Sequence, residues 1–299
     1  MSGINTNRTA IDLPIEVSNE IIQKTQEQSA IMQLARRINL PGRGLTFPVI
    51  TGDPEASWVD ETNRKPVSNP SLSTKIMQPY KLAVIVPFSD EFARDMASLY
   101  DAIVDRLPGA LALKFDATVY GGSAPGSNFD VFATCTAQSI SSDAYAGLLA
   151  ADIDIAEHGG VTNGFVISPQ AKGILLAARD DNKRPLFINS VAEGAIPMVL
   201  GSRTIVNRSA YVEGSVGTPD VVGIAGDWTK AMYGTVAGVK IDLSNQASLT
   251  IADQQVNLWE RNMFAVRAEI EVGFRADLTV FNRLTRTHSG QTGETGQTV

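Results

Sequence analysis

The spacing of apolar positions changes several times along the chain, and each change marks an element. Residues 1–13 are polar. From Pro14 the period becomes helical: Ser18 caps a predicted helix to about Ser29, with Glu20 in its first turn and Ile21 and Ile22 apolar. Ile31, Leu34, Ala35 and Ile38 extend that spacing until Leu40-Pro41-Gly42 stops it. So narrow a stripe buries too little to fold alone, and this arm must dock on something. Next, residues 46–50 are short and β-prone, and Ile76, Tyr80, Leu82, Val84 and Val86 fall on one face by period-two spacing. Between these arms there is no core. Asp53-Pro54, Lys65-Pro66 and Asn69-Pro70 block helix, while Asp60, Glu61, Arg64 and Lys65 keep the tip soluble. An excursion of this length inside a domain is uncommon and usually functional. Residues 45–89 therefore read as an extended hairpin that lies on a neighbour.

Ser89 or Asp90 then caps the most convincing helix of the chain. Phe92, Met96, Leu99, Ile103, Leu107, Leu111, Phe115 and Val119 recur every three or four residues. Pro108-Gly109 interrupts this run, and because the stripe keeps its phase the pair predicts a kink rather than two helices. Residues 121–127 form a Gly/Ser/Pro loop. Mixed α/β structure follows, beginning with a helix from Ser142 whose inward face is Tyr145, Leu148, Leu149, Ile153 and Ala156. A strand at 165–167, a helix capped by Ser168-Pro169, and strands at 186–188, 198–200, 204–206, 221–225 and 235–243 come next. A long strand, 264–274, alternates an apolar face with one of mixed charge, and a strand at 278–284 closes the fold. The tail after His288 has almost no apolar content.

Composition adds little that is specific. The 299 residues suit one large or two modest domains, and 43% hydrophobic content is that of a soluble globular protein. A charged fraction of 19% is low for a monomer's surface and suggests burial between subunits. A net charge of −7 does not announce a nucleic-acid binder. The lone Cys135 excludes an intramolecular disulfide and a thiolate metal cluster. The first 20 residues contain no signal-peptide pattern, and no window approaches the ~18 apolar residues of a membrane span.

A search for chemistry returns nothing positive. Neither phosphate-cradling glycine pattern occurs, no serine sits in a GxSxG elbow, and Cys135 has no neighbouring histidine. Asp152, Asp154 and His158 could share a metal, but the bland reading is a solvated helix face with His158 at the negative helix end. Trp58, Trp228 and Trp259 read as core or interface anchors before stacking platforms. Arg36-Arg37 and Arg283 with Arg286 read as partners for acidic neighbours. The expectation is therefore no catalytic residue, no cofactor and no metal.

The order of elements, docking arm, extended hairpin, long kinked helix, inserted α/β piece and long return strand, resembles the major capsid proteins of tailed bacteriophages with the Hong Kong 97-type fold. The wording is similar as well. LPIEVSNEIIQKTQEQSAIMQLARRINLPG resembles that family's N-terminal arm, PVITGDPEASWVDETNRKPVSNPSL its extended loop, and VPFSDEFARDM the start of its spine helix. FVISPQAKGILLAARDDNKRPLF, MVLGSRTIV and IAGDWTKAMYG are similar to its axial domain, and LWERNMFAVRAEIEVGFRADLTVF to the return strand of its peripheral domain. The resemblance implies an α+β fold with an arm at 1–44, the extended loop at 45–88, a peripheral domain at 89–141 and 244–288, an axial domain at 142–243 and a flexible tail at 289–299.

It also implies a function: self-assembly as pentamers and hexamers into an icosahedral shell around double-stranded DNA, held by non-specific contact. The shell would form in the host bacterial cytoplasm and end in the virion, with no membrane. Partners would be other copies, a separate scaffolding protein, a portal and decoration proteins. In the extended loop, Trp58, Val59, Asp60, Glu61, Arg64 and Lys65 would contact the next subunit, and Pro108-Gly109 would be the hinge of the spine helix. Some members cross-link a loop lysine to a neighbour's asparagine. Here Lys65 or Lys75, Asn262 or Asn282, and Glu269 would be the groups, but nothing in the sequence aligns all three. An encapsulin-like cargo compartment, or an oligomeric hydrolase with its site in residues 142–243, are the alternative readings.

Overall fold

The computed structural model describes residues 29–52, 58–59, 64–65, 67, 71–91, 106–180, 182–184, 186–187, 198–251 and 254–288. In chain order the elements are α1 (Ala30–Leu34), β1 (Arg36–Asn39), β2 (Leu45–Gly52), β3 (Ser71–Met77), β4 (Tyr80–Ser89), α2 (Leu107–Gly121) and β5 (Thr136–Ser139). They continue as α3 (Ala144–Glu157), β6 (Gly164–Ile167), α4 (Pro169–Ala177), β7 (Met198–Val199), β8 (Ser202–Val206), β9 (Asp220–Gly226) and β10 (Ala231–Thr235). The last are β11 (Lys240–Ser244), β12 (Ser248–Ile251), β13 (Gln254–Asn257), β14 (Met263–Ala276) and β15 (Phe281–Arg286).

Two larger sheets are joined through β14 and β15. Along one edge of β14 runs β4, antiparallel, from Met263 opposite Ser89 to Val272 opposite Tyr80. Its other edge is shared by β11 and β10, and β10 carries β1 on its far side. After a 3-10 turn at Leu278–Val280 the chain enters β15, which lies in a six-stranded mixed sheet of order β5-β15-β9-β6-β8-β7. The main core packs at the junction, where the Phe132 ring sits 4.7 Å from Phe281, 5.6 Å from Phe274 and 5.8 Å from Trp228 between centroids. A smaller core gathers Phe88, Leu107, Leu111, Phe264, Val266 and Ile270. The helix α2 serves both: Leu107 and Leu111 enter the smaller core, Phe115 and Val119 the main one. These four are the second half of the predicted apolar stripe. Phe92, Met96, Leu99 and Ile103 lie outside the described residues.

Several expectations need correction. The predicted helix over 30–38 ends at Leu34, and Arg36–Asn39 is a strand, because pairing in parallel with Met232–Thr235 outweighs a weak helical preference. Ile76 does not share the face of Tyr80, Leu82, Val84 and Val86. Gln78-Pro79 separates β3 from β4 and resets the alternation, so Met77 is buried and Ile76 exposed. The helix α3 is capped by Asp143, whose side chain accepts from the Ala146 N–H at 3.0 Å, and Ser142 lies before the cap. Its buried residues are Ala144, Gly147, Leu148, Ala151 and Ile155, so of the predicted inward face only Leu148 is inside. The small residues face the sheet: a Cβ on Gly147 would lie 2.2 Å from the Ser139 carbonyl oxygen. The predicted strand at 235–243 is two strands, β10 and β11, each placed on its own stretch of β14. Leu186 and Phe187 form a bend instead of a strand, and the strand predicted from 278 begins at Phe281.

Candidate assembly interface

Among the described residues the strands β2 and β3 pair only with each other, from Leu45 opposite Met77 to Ile50 opposite Leu72, with a register shift before Gly52 opposite Ser71. A two-stranded ribbon has no sheet behind it and is marginal in water by itself. At its tip Trp58 is fully exposed, with 104% relative accessibility; Arg64 and Lys65 are exposed and Val59 is half-buried. Asp60 and Glu61 lie outside the described residues. An indole left entirely in water forfeits one of the largest burial terms a side chain has, which suits a residue that meets a partner.

The root of this ribbon is clamped. Arg275 Nε donates to the Ile76 carbonyl at 2.7 Å, while its other nitrogens donate to Asp130 Oδ1 at 2.7 Å and Asn128 Oδ1 at 3.3 Å. Asp130 Oδ2 accepts from the Ala276 N–H at 3.0 Å, and Lys75 Nζ donates to the Ala276 carbonyl at 3.1 Å. The Asn128 amide donates to Gln78 Oε1 at 3.1 Å. On the opposite strand Gly44 has φ +86°, and a Cβ there would lie 2.5 Å from the Met77 carbonyl oxygen, so the close turn into β2 requires glycine. Arg275 and Asp130 were not singled out by pattern. The one available signal was an arginine at the end of an alternating charged face, and nothing local identified its partner 145 residues away.

A second joint ties the arm to the rest. Asp116, fully buried on α2, accepts from Ser29 Oγ at 2.5 Å, from the Ala30 N–H at 2.9 Å and from Asn207 Nδ2 at 2.8 Å. Ser29 Oγ in turn accepts from the Met32 N–H and caps α1. One carboxylate therefore joins the arm, the long helix and the chain entering the 3-10 turn Arg208–Ala210. Burial pushes its pKa up to about 7, against the pull of the Ser29, Ala30 and Asn207 donors. A lone acid in an apolar helix, LALKFDATVY, was the readable sign of this joint.

A third joint holds the turn between residues 211 and 219. Asp220 is buried and accepts from the Gly214 N–H at 2.9 Å, Tyr211 Oη at 3.1 Å and Arg286 Nε at 2.9 Å, with His288 Nδ1 at 2.6 Å. Burial alone would raise its pKa, but these partners outweigh it and hold the carboxyl well below the usual range. Of the basic pairs read from sequence, Arg286 has this acidic partner, and Arg283 donates to the Cys135 carbonyl at 2.8 Å. At the tip of the turn Val216 is 81% exposed.

The other candidates divide. Trp228 is a core anchor, buried and donating to the Gly164 carbonyl at 3.0 Å, whereas Trp259 is 70% exposed in the 3-10 turn Trp259–Arg261 ahead of β14. His158 is the C-cap of α3 and its ring contacts the Asp154 carbonyl at 2.8 Å; Asp154 accepts from Asn282 Nδ2 at 2.7 Å. No group of three metal-ligating side chains occurs among the described residues. Burial pushes the Cys135 thiol up to about 12, so it is not a nucleophile at neutral pH. Of the cross-linking groups, Asn282 is fully buried and Glu269 is held by Lys81 at 2.9 Å on the charged face of β14. Pro108 stands in the first turn of α2, where an N–H has no helical partner to lose, and Arg106 precedes it as the N-cap.

Residues 11–278 match the sequence model of the phage capsid family. The chain is 28% identical over 291 residues to the "Probable major capsid protein gp17" of Mycobacterium phage D29, covering 92% of this chain and 90% of that one. It is 26% identical over 285 residues to the "Major capsid protein" of Staphylococcus phage 80alpha, covering 90% and 83%. In three dimensions it is similar to a solved chain of Gordonia phage Cozz, with a TM-score of 0.72 and 24% identity over 88% of this chain and 87% of that one. That likeness shows a mixed α/β capsid fold.

Proposed function

Since the chain belongs to the phage capsid family, we propose that it is the major capsid protein of a tailed bacteriophage, a structural protein that assembles with copies of itself into the head shell. The observation that carries this is a family match across nearly the whole described fold, from the arm to the turn before β15. The related proteins are structural capsid proteins rather than enzymes. Their being phage proteins favours packaged DNA over an enzyme cargo.

The finer reading is of the Hong Kong 97 type, in pentamers and hexamers enclosing double-stranded DNA, with a separate scaffold, a portal and decoration proteins as partners and assembly in the bacterial cytoplasm. The strands β4 and β14 with the long helix would form the peripheral part and β6–β9 the axial part; β10 and β11, which begin inside the range 142–243 expected for the axial domain, pair with β14 instead, and β15, outside that range, pairs with β9. The turn at 211–219 would point toward the capsomer axis. The ribbon β2–β3 would lie across the next subunit, burying Trp58 and Val59 while Asp60, Glu61, Arg64 and Lys65 set its register through charge. Supporting this are the exposed indole and a ribbon with no sheet of its own behind it. Many weak contacts closed into a shell then hold cooperatively.

Electron microscopy of the purified protein tests the function, and deletion of residues 52–73 tests the ribbon's part. Wild type should form shells or capsomers, and the deletion protein should remain a folded protomer that closes none. A monomeric wild type sinks the first claim, and intact shells from the deletion protein sink the second.

A further inference from the structure

The three stretches that meet at the Asp116 joint also share a charge. They are the arm with its following turn (29–44), the helix α2, and the run from β7 through the 3-10 turn Arg208–Ala210. In a chain with 25 basic and 32 acidic residues they hold six bases, Arg36, Arg37, Arg43, Lys114, Arg203 and Arg208, and a single acid, Asp116 itself. All six bases are exposed, whereas the acid is buried among its donors. Two contacts bring charges of different stretches together. Arg203 Nη2 donates to Gln33 Oε1 at 3.3 Å, three residues before Arg36, and Ser209 Oγ donates to the Leu113 carbonyl at 3.4 Å, which sets the chain at Arg208 beside the chain at Lys114. On β4, β11 and β14, by contrast, every base is neutralised: Lys81 by Glu269 and Glu271, Lys240 and Arg267 by Asp242, and Arg275 by Asp130. None of the six has an acidic partner among the described residues, so Arg36 and Arg37 do not find the acidic neighbours their sequence suggested. A net charge of −7 hides such a surface, because the acids lie elsewhere.

We propose that this basic surface is the part of the subunit that meets the phosphate backbone of packaged duplex DNA. The inference rests on the shell reading above, which brings a polyanion to every copy. Five of the six bases are arginine, whose guanidinium group matches phosphate oxygens with two parallel hydrogen bonds. They are spread over three elements: α2 carries only Lys114 and β1 only two adjacent arginines, so no single element presents a row of them to a groove. The contact is therefore to backbone charge and independent of base sequence. An acidic protein would meet the same charges, and the test separates the two.

The test changes Arg36, Arg37, Lys114 and Arg208 of the full chain to glutamine. These four side chains are exposed and make no hydrogen bond among the described residues, so the melting temperature should move by only a few degrees. Binding of dissociated capsomers to a duplex of about 30 base pairs is measured between about 50 and 200 mM salt. Wild type should bind with an affinity that falls steeply as salt rises. The glutamine variant should bind about tenfold or more weakly at the lower salt, and its slope of log affinity against log salt should be shallower by about 3. Lysine in place of the three arginines should keep both affinity and slope, and glutamine at the paired Lys81 and Lys240 should leave both unchanged. A glutamine variant that binds like wild type, or an equal loss from the Lys81 and Lys240 control, would overturn the proposal. A variant that keeps its DNA binding yet no longer assembles beside an acidic scaffolding protein would also overturn it, giving the surface to that protein. Wild type that forms neither shells nor capsomers overturns the shell reading and the proposal with it, whereas assembled wild type without salt-dependent DNA binding overturns the proposal alone.

Discussion

Changing Asp116 probes the joint on which the arm, the long helix and the Asn207 turn converge. Alanine would leave Ser29 Oγ, the Ala30 N–H and Asn207 Nδ2 facing a buried void. Each unsatisfied buried donor costs about 1–3 kcal/mol, and because the groups share one partner their sum is capped at about 3–5 kcal/mol. Asparagine keeps the shape and one acceptor oxygen at the position that receives two of these donors, so its cost should be about 1 kcal/mol. The pH dependence is the sharper test. Burial raises the native carboxyl from 3.8 to about 7, so between those values the folded protein holds the proton that the unfolded chain has released. Stability from this group is therefore full below pH 4, falls as pH rises through about 7, and is constant above. At roughly 1.4 kcal/mol per unit the swing is on the order of a few kcal/mol. Asparagine has no such proton, so its stability relative to wild type should improve with pH between 4 and 7. Urea unfolding of the protomer at several pH values, followed through the buried Trp228, measures it. A wild-type-minus-Asp116→Asn difference that is flat over that window, or an Asp116→Ala cost below 1 kcal/mol, would refute the reasoning.

Two further outcomes follow from the other joints. Arg275→Ala leaves the partly buried Asp130 without its cation and frees the Ile76 carbonyl, for a cost of about 2 kcal/mol; amide exchange should quicken in residues 75–80 more than in β15, and uniform loosening of both would contradict the clamp. If Pro108-Gly109 is the hinge of the spine helix, replacing both by alanine should stiffen the start of α2 and leave that helix with one bend in every particle form seen by electron microscopy. A helix whose bend still differs between particle forms would dismiss the hinge, whatever the gain in protomer stability.

What could be read in advance was what depends on local repetition. The alternation along residues 264–274, the four-residue stripe from Leu107 to Val119 and the cap at Ser168 all reappear in the structure. Pattern failed where a distant partner decided. Arg36–Asn39 has helical spacing but is a strand because β10 offers it an edge, and Ala35 leaves the helix to reach it. On α3 the period was right and the face wrong, since the spacing of apolar residues cannot say whether the small or the large ones meet the sheet. The site residues were legible as types only. A tryptophan and paired charges in a coreless loop suggested a contact, and Trp58 is exposed; the carboxylates Asp116 and Asp220 have partners 87 and 68 residues away, and only the lone acid in an apolar helix marked the first of them.

The pairing of β4 with β14 also decides how the protein carries load. A pull on the ribbon tip travels down β3, around the Gln78-Pro79 bend held by Arg275, and into β4 along its length. Ten residue pairs, from Ser89 opposite Met263 to Tyr80 opposite Val272, then lie broadside to the force. They must give way together in shear rather than one at a time as in unzipping. From β14 the tension passes within the same stretch of chain to β15 and the second sheet. A ribbon that is soft by itself is thus moored lengthwise to the longest strand among the described residues, as a tether reaching to another subunit would have to be.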